Sequence, residues 1–450
     1  MKSRSRLLPW MLLIIAVLSL AFVVLRLANR VAWKVLYPSD GDEISSKGRI
    51  GVTFNQPMQA KSVEQRFSIQ PEVSGNFSWE GNTLWFSPEA WLDPAQIYQV
   101  KITAGAEAFN GRALSKPLTW QVLVREPDIL YLVLNETGGE LWRYEFSSGS
   151  TNPITETNDS VIDFAPSPTG DTIAFAQNNN SGGTDLWITN RDGSDPVKLL
   201  DCSYDRCSQT AWSVDGAWIA YARESFDHNT VLFQPARVWI VNALSGETNP
   251  LYQQDRVYGH SPSFSPDGKR LATYDSLQNA IRILELETSQ ESAVPTVYPS
   301  VGDWSPKGDE LIFVNLVPGV LEPNVGMFIV NFDQQEIRDA FGEFLPNMDY
   351  DPPRWSPDGQ WIAYGLRPVG GGISKGIWIH NLDTGETKQL TDDPAATFSG
   401  YRWDPWGERL VFQRFQLSGG STNASLWLWD RATNTIQMLV ENGARPEWLP

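Results

Sequence analysis

The stretch Arg354–Gly365, RWSPDGQWIAYG, sets two tryptophans around a Ser-Pro-Asp-Gly turn and follows them with an alternating apolar run. Pro357 fixes φ for the second position of a type I turn, Asp358 suits the third, and Gly359 tolerates the left-handed conformation that follows. The Ser356 hydroxyl is placed to bond a nearby backbone amide, and Trp355 offers a large apolar body for packing. Scaffold chemistry explains every letter, so the stretch reads as a strand–turn–strand corner.

Five further copies lie along the chain: PSPTGDTIAF (Pro166–Phe175), WSVDGAWIAY (Trp212–Tyr221), FSPDGKRLAT (Phe264–Thr273), WSPKGDELIF (Trp304–Phe313) and WDPWGERLVF (Trp403–Phe412). Their turn glycines, at 170, 216, 268, 308, 359 and 407, are 46, 52, 40, 51 and 48 residues apart. Around each copy an inner strand enters the turn and a second strand leaves it. A third follows, as in DLWITN (Asp185–Asn190), then another tight turn and a short outer strand. Four strands at this period predict a β-propeller. Asp128–Thr155 supplies three strands without an inner one, and ARPEWLP (Ala444–Pro450) reads as an inner strand with its Trp. Joined, they make a seventh blade that closes the ring and hides its sheet edges.

These repeats resemble those of the TolB family, also found in propellers attached to prolyl-oligopeptidase-type enzymes, over residues 128–450. The resemblance implies a binding platform. Before them, residues 31–125 read as strands only. RIGVTF and RFSIQP alternate, NFSWEGNTLWFSP reads as a hairpin, and IYQVKI and LTWQVLV each place one apolar face inward. Such strands predict a β-sandwich. VTFNQPM (Val52–Met58), FSIQPEVSGNFSWEGNTLWFSP and YQVKITAGAEAFNGRAL together resemble the bacterial Ig-like domain of the SbsA type. That resemblance implies a spacer or adhesion module of cell-envelope proteins, without catalytic residues.

Residues 1–30 stand apart. Lys2, Arg4 and Arg6 precede an apolar run from Leu7 to Leu25, nearly long enough to span a hydrocarbon core of roughly 30 Å. The alternative is a cleaved signal peptide, but VVLRLANR follows where a small-residue cleavage site is needed. The expected fold class is therefore all-β apart from one N-terminal transmembrane helix, with a single-pass anchor and the globular part extracytoplasmic. Beyond residue 30 the chain carries 30 basic and 53 acidic side chains, a net charge of −23. That balance repels phosphate backbones and excludes a nucleic-acid partner.

The two cysteines, Cys202 and Cys207 in DCSYDRC, suit a small loop disulfide, with unpaired thiols as the alternative. A zinc site needs further ligands, and the three histidines (His228, His260, His380) are widely spaced. No metal or cofactor is expected. A formal G-x-S-x-G at Gly372–Gly376 falls in a glycine-rich loop between two strands, where no nucleophile elbow forms.

Binding is expected on the face opposite the motif turns, where the longer loops lie. Seven places after each turn glycine come Gln177, Arg223, Asp275, Asn315, Leu366 and Arg414, five of them polar. The shared register predicts one channel rim, with Arg223 and Arg414 holding an acidic group. Phe226, Tyr258, Tyr350, Phe398 and Phe415 in these loops are candidates for stacking on sugars or anchoring a peptide. The leading expectation is a membrane-anchored, non-catalytic scaffold docking a protein or peptide partner in the cell envelope. A carbohydrate or peptidoglycan binder is the alternative, and a hydrolase or lyase with its site in the channel is a third.

Overall fold

The computed structural model describes residues 30–136, 138–252, 257–317, 325–342, 347–417 and 424–450. The chain divides into two compact units, one ending at Arg125 and one running from Glu126 to Pro450. The membrane-spanning helix expected over Leu7–Leu25 lies outside the described residues. Among the described residues no helix is long and apolar enough to cross a membrane. The expectation of a single-pass anchor, and of the membrane localisation built on it, is corrected accordingly.

In the first unit, strands Trp33–Tyr37, Ile50–Phe54, Thr83–Pro88 and Gly75–Glu80 pair in that order into one sheet. Glu43–Ile44, Leu118–Val124, Ile97–Ile102 and Phe67–Gln70 form the other. Side chains alternate across a strand, so Tyr98, Val100 and Ile102 face inward with Leu118, Trp120, Val122 and Val124. They meet Val52, Phe54, Leu84 and Phe86 in one core. The hairpin pairs Glu80 with Thr83, and Gly81 turns it with φ +61°, as a two-residue connection demands. One reading is corrected: Ala60–Glu64 is a five-residue helix that buries Val63.

Among the described residues the second unit carries seven blades. Their innermost strands are, for blades 1 to 6, Val161–Pro166, Arg206–Trp212, His260–Phe264, Asp303–Trp304, Met348–Tyr350 with Arg354–Trp355, and Ala396–Trp403. In blade 7 the innermost strand is Ala444–Leu449, which pairs antiparallel with Asp128–Leu134 and sets Trp448 opposite Ile129. Gly139–Glu145 and Ser150–Pro153 complete that blade from the other end of the unit.

The motif turn behaves as its chemistry dictates. All six turn glycines have φ between +68° and +76°, a region closed to most side chains. The Oγ atoms of Ser213, Ser265, Ser305 and Ser356 each accept the backbone N–H five residues on, at 2.9–3.1 Å. A Cβ on Gly308 would stand 2.7 Å from the Asp267 carboxylate of the preceding blade, so this glycine also permits blade-to-blade approach.

Motif tryptophans tie neighbouring blades together. The indole N–H groups of Trp212, Trp304, Trp403 and Trp448 donate to the carbonyls of Ala165, Ser263, Arg354 and Arg402 in the preceding innermost strands, at 3.0–3.2 Å. Trp355 departs from the pattern and donates to Gly359 in its own turn, at 3.0 Å. Ring burial contributes on the order of 4–6 kcal/mol gross per tryptophan, so these corners are also the seams of the ring.

Candidate functional site

The second strands end where the register places Gln177, Arg223, Asp275, Asn315, Leu366 and Arg414, but the polar members are engaged locally. Arg223 sets Nε and Nη2 each 2.8 Å from Asp205 Oδ2 and lies 5.0 Å from the Trp239 ring. Arg414 Nη2 is 2.6 Å from Asp393, and this bond is the main cause holding the Asp393 carboxyl below its ordinary range. Asp275 is 1% exposed; it pairs with Arg282 at 2.7 Å and accepts the N–H groups of Leu277 and Gln278. Asn315 accepts from the Leu316 N–H at 2.8 Å and donates to the Pro295 carbonyl at 2.9 Å. Gln177 lines a cleft between blades 7 and 1 with Phe175, Trp187 and Glu156. Side chains at strand ends satisfy turn amides and neighbouring charges first. The acidic groups that Arg223 and Arg414 hold are the protein's own.

The loop aromatics divide. Tyr350 is 2% exposed, packs on Phe341 and Tyr364, and burial pushes its hydroxyl up to about 12. Phe398 is buried against Phe412, Tyr258 is half-buried, and Phe415 sits half-buried between Thr397 and Ala424 in its sheet. Tyr350 and Phe398 serve blade packing. Phe226 differs, because it belongs to a separate hairpin, Phe226–Asp227 with Leu232–Phe233, inserted after the second strand of blade 2. Its ring stands within 5.1–6.2 Å of Tyr204, His228 and Phe233, and Arg206 lies 3.8 Å from the Phe233 ring. At the tip Val231 and Leu232 are 69% and 64% exposed, and Tyr204 is 49% exposed.

A bonded pair, Cys202–Cys207, holds the loop that supports this patch. Both cysteines are buried, and the Asp205 N–H donates to the Cys202 carbonyl at 2.9 Å. Asp205 then serves two partners, Arg223 through Oδ2 and the Phe226 N–H through Oδ1 at 2.8 Å. The disulfide loop, Arg223 and the hairpin form one braced assembly. Among the described residues no cluster of metal-ligating side chains occurs. In the Gly372–Gly376 stretch, Ser374 Oγ lies against the carbonyls of Asp393 and Ala396, at 3.1 and 2.6 Å, and a strand follows.

The sequence reading missed the channel lining. The residue just before the motif's first position, aromatic in blades 2 to 7 and Pro166 in blade 1, is Asp303, Arg354, Arg402 and Glu447 in blades 4 to 7, but Ala165, Ala211 and Ser263 in blades 1 to 3. Arg402 Nε lies 2.6 Å from Glu447, and Arg354 Nη1 lies 3.4 Å from Asp303. Burial raises the Asp303 carboxyl above its ordinary range against the pull of Arg354, and burial together with Arg402 lowers the Arg354 guanidinium. Higher in the channel the innermost strands of blades 2, 3 and 7 bulge, with Gln209, Ser261 and Arg445 at φ between +52° and +56°. Gln209 Oε1 accepts the Ser261 N–H at 2.7 Å, and Arg445 donates to the Ile162 carbonyl at 2.7 Å. The usable signal in the sequence was the charged letter before Trp, repeated in four successive blades.

Residues 31–122 match the bacterial Ig-like domain family. An uncharacterized protein of Agrobacterium fabrum is 25% identical over 279 residues, covering 57% of this chain and 90% of that one. The uncharacterized peptidase YuxL of Bacillus subtilis is 27% identical over 162 residues, 29% of this chain and 24% of that protein. With a peptidase by name among the relatives, the expectation that the chain has no catalytic role is corrected. Among solved structures, TolB from Acinetobacter baumannii is 19% identical with a TM-score of 0.43, over 72% of this chain and 82% of that one. A puromycin-hydrolyzing peptidase from Mycobacterium tuberculosis is 13% identical with a TM-score of 0.53, over 86% of this chain and 56% of that one. At such identities the likeness is one of fold. Residues 31–122 match the bacterial Ig-like domain, and the strand pairing of the unit after them is that of a β-propeller.

Proposed function

We propose that the chain is a binding scaffold whose propeller docks a protein or peptide partner on the face opposite the motif turns. The observation that carries this reading is the aromatic hairpin of blade 2. Val231 and Leu232 at its tip are well over half exposed, on a short two-stranded ribbon whose base is braced by Asp205 and the disulfide loop. Exposed aliphatic tips backed by rings are the composition of a protein interface core, where charged residues are depleted and aromatics enriched. Sugar stacking calls for flat rings at the surface, whereas the most exposed groups here are aliphatic. A braced support favours affinity, because little conformational freedom is lost on docking. Crosslinking in intact cells tests the reading. Leu232→Asp, at a position whose folded state is solvent-exposed, should abolish the crosslinked adduct while leaving the melting temperature unchanged. An adduct of undiminished yield would overturn the assignment.

A further inference from the structure

The charged half of the channel carries an arginine whose binding capacity is unspent. Arg354 reaches the carbonyl of Gly302 and the carboxylate of Asp303 through Nη1 alone, both at 3.4 Å. Among the described residues its Nε and Nη2 have no partner. A guanidinium offers five donors in a planar fork that matches a carboxylate edge, so this side chain retains one whole edge. Arg402, on the next blade, spends Nε on Glu447 and Nη1 on the Tyr401 carbonyl. It lies close enough to Arg354 to depress its basicity.

The surroundings make this more than a spare surface charge. Arg354 is 28% exposed in its side chain, on the innermost strand segment Arg354–Trp355. Beyond residue 30 the chain carries a large excess of acidic residues, yet here two arginines stand on adjacent blades. In blades 1 to 3 the equivalent positions are Ala165, Ala211 and Ser263, small side chains without charge. Asp303 does not saturate its arginine, since its Oδ2 also accepts the Trp355 N–H at 2.7 Å. In every blade this position immediately precedes the motif turn, so the pair lies toward the turn end of the channel, away from the hairpin.

We infer that the channel holds a carboxylate-binding site in which the free edge of Arg354, reinforced by Arg402, grips a single carboxylate of a ligand entering the lumen. A carboxylate fits better than a phosphate, because Asp303 and Glu447 flank the arginines and repel a dianion more strongly. The carboxylate has two available sources, a small organic acid or the C-terminus of a peptide. The site uses none of the hairpin residues, so it stands or falls apart from the docking reading.

The test titrates the full chain with N-acetyl-dialanine as the free acid, with its C-terminal amide, with glutarate and with inorganic phosphate, followed by calorimetry. The free acid should bind at least tenfold more tightly than the amide, the scale of one charge-assisted bond, and more tightly than phosphate. Arg354→Gln should remove the acid's advantage, and Arg354→Lys, which keeps the charge but loses the fork, should restore it only in part. Tighter binding of glutarate than of N-acetyl-dialanine assigns the site to small acids, and the reverse order to chain termini. Equal binding of acid and amide together with no binding of glutarate, phosphate as the tightest ligand, or an acid preference that survives Arg354→Gln each overturns the proposal. Should Arg354→Gln fail to fold, Arg354→Lys decides it, and an undiminished acid preference in that variant overturns the proposal.

Discussion

Trp448 on the closing strand ties blade 7 to blade 6, and removing it gives a sharp prediction. Trp448 is 7% exposed and stacks on Phe146 with centroids 5.5 Å apart and planes 9° from parallel. Arg409 lies 5.2 Å over its ring, and its indole donates to the Arg402 carbonyl in the preceding blade at 3.0 Å. Trp448→Ala thus deletes a buried aromatic and orphans a carbonyl, while Phe146 and Arg409 lose their common partner. Truncations of this type cost about 3–5 kcal/mol, and the unpaired carbonyl moves this one toward the upper end. For a unit of this size each kcal/mol lowers the melting temperature by about 1.5 °C, so the propeller transition should fall by about 5–8 °C. Trp448→Phe keeps the stack and loses the hydrogen bond, and should cost about 1–2 kcal/mol. Calorimetry that resolves the propeller from the Ig-like unit measures both. A Trp448→Ala protein melting within about 1 °C of the parent would refute the claim that this strand seals the ring.

Two further outcomes follow from the same reasoning. Arg223→Ala should destabilise the propeller by about 1.5–3 kcal/mol, the range for hydrogen bonds to charged groups, and should raise proteolytic cleavage in the loop 201–207, because Asp205 loses its partner; unchanged cleavage would contradict the bracing role. Burial holds His380 below its ordinary value of 6.5, so the unfolded imidazole takes a proton first. Its contribution to stability is present above pH 6.5 and is lost as pH falls below it. His380→Gln should therefore flatten the stability curve measured by urea unfolding between pH 7 and 5, and a curve of unchanged slope would contradict the reading.

The propeller was legible because its turns admit few residues. A left-handed position after a Pro-Asp pair all but requires glycine, so the letters recur wherever the geometry does, and the incomplete first and last repeats complement each other. The site was less legible. Arg223, Asp275, Asn315 and Arg414 share a register, but their partners, Asp205, Arg282, the Pro295 carbonyl and Asp393, come from loops and turns with no repeat. Letters alone cannot tell a polar group waiting for a ligand from one already satisfied. Phe226 and Tyr350 are likewise both aromatic and both near a loop, yet one belongs to an exposed hairpin and the other to a core. The channel charges were readable in principle, as the residue before Trp in four successive blades. They lie beside so distinctive a motif that the motif drew the reading away from its neighbour.

The docking claim is tested most directly by a photo-crosslinking residue placed at position 232 on the hairpin and, separately, at position 244. Leu244 is 97% exposed and belongs to the turn between the third and outer strands of blade 2, on the motif-turn face. Irradiated in intact cells, the residue at 232 should give a discrete higher-mass adduct and the residue at 244 none. Equal labelling from both positions, or labelling from 244 alone, would contradict the assignment of the partner to the loop face.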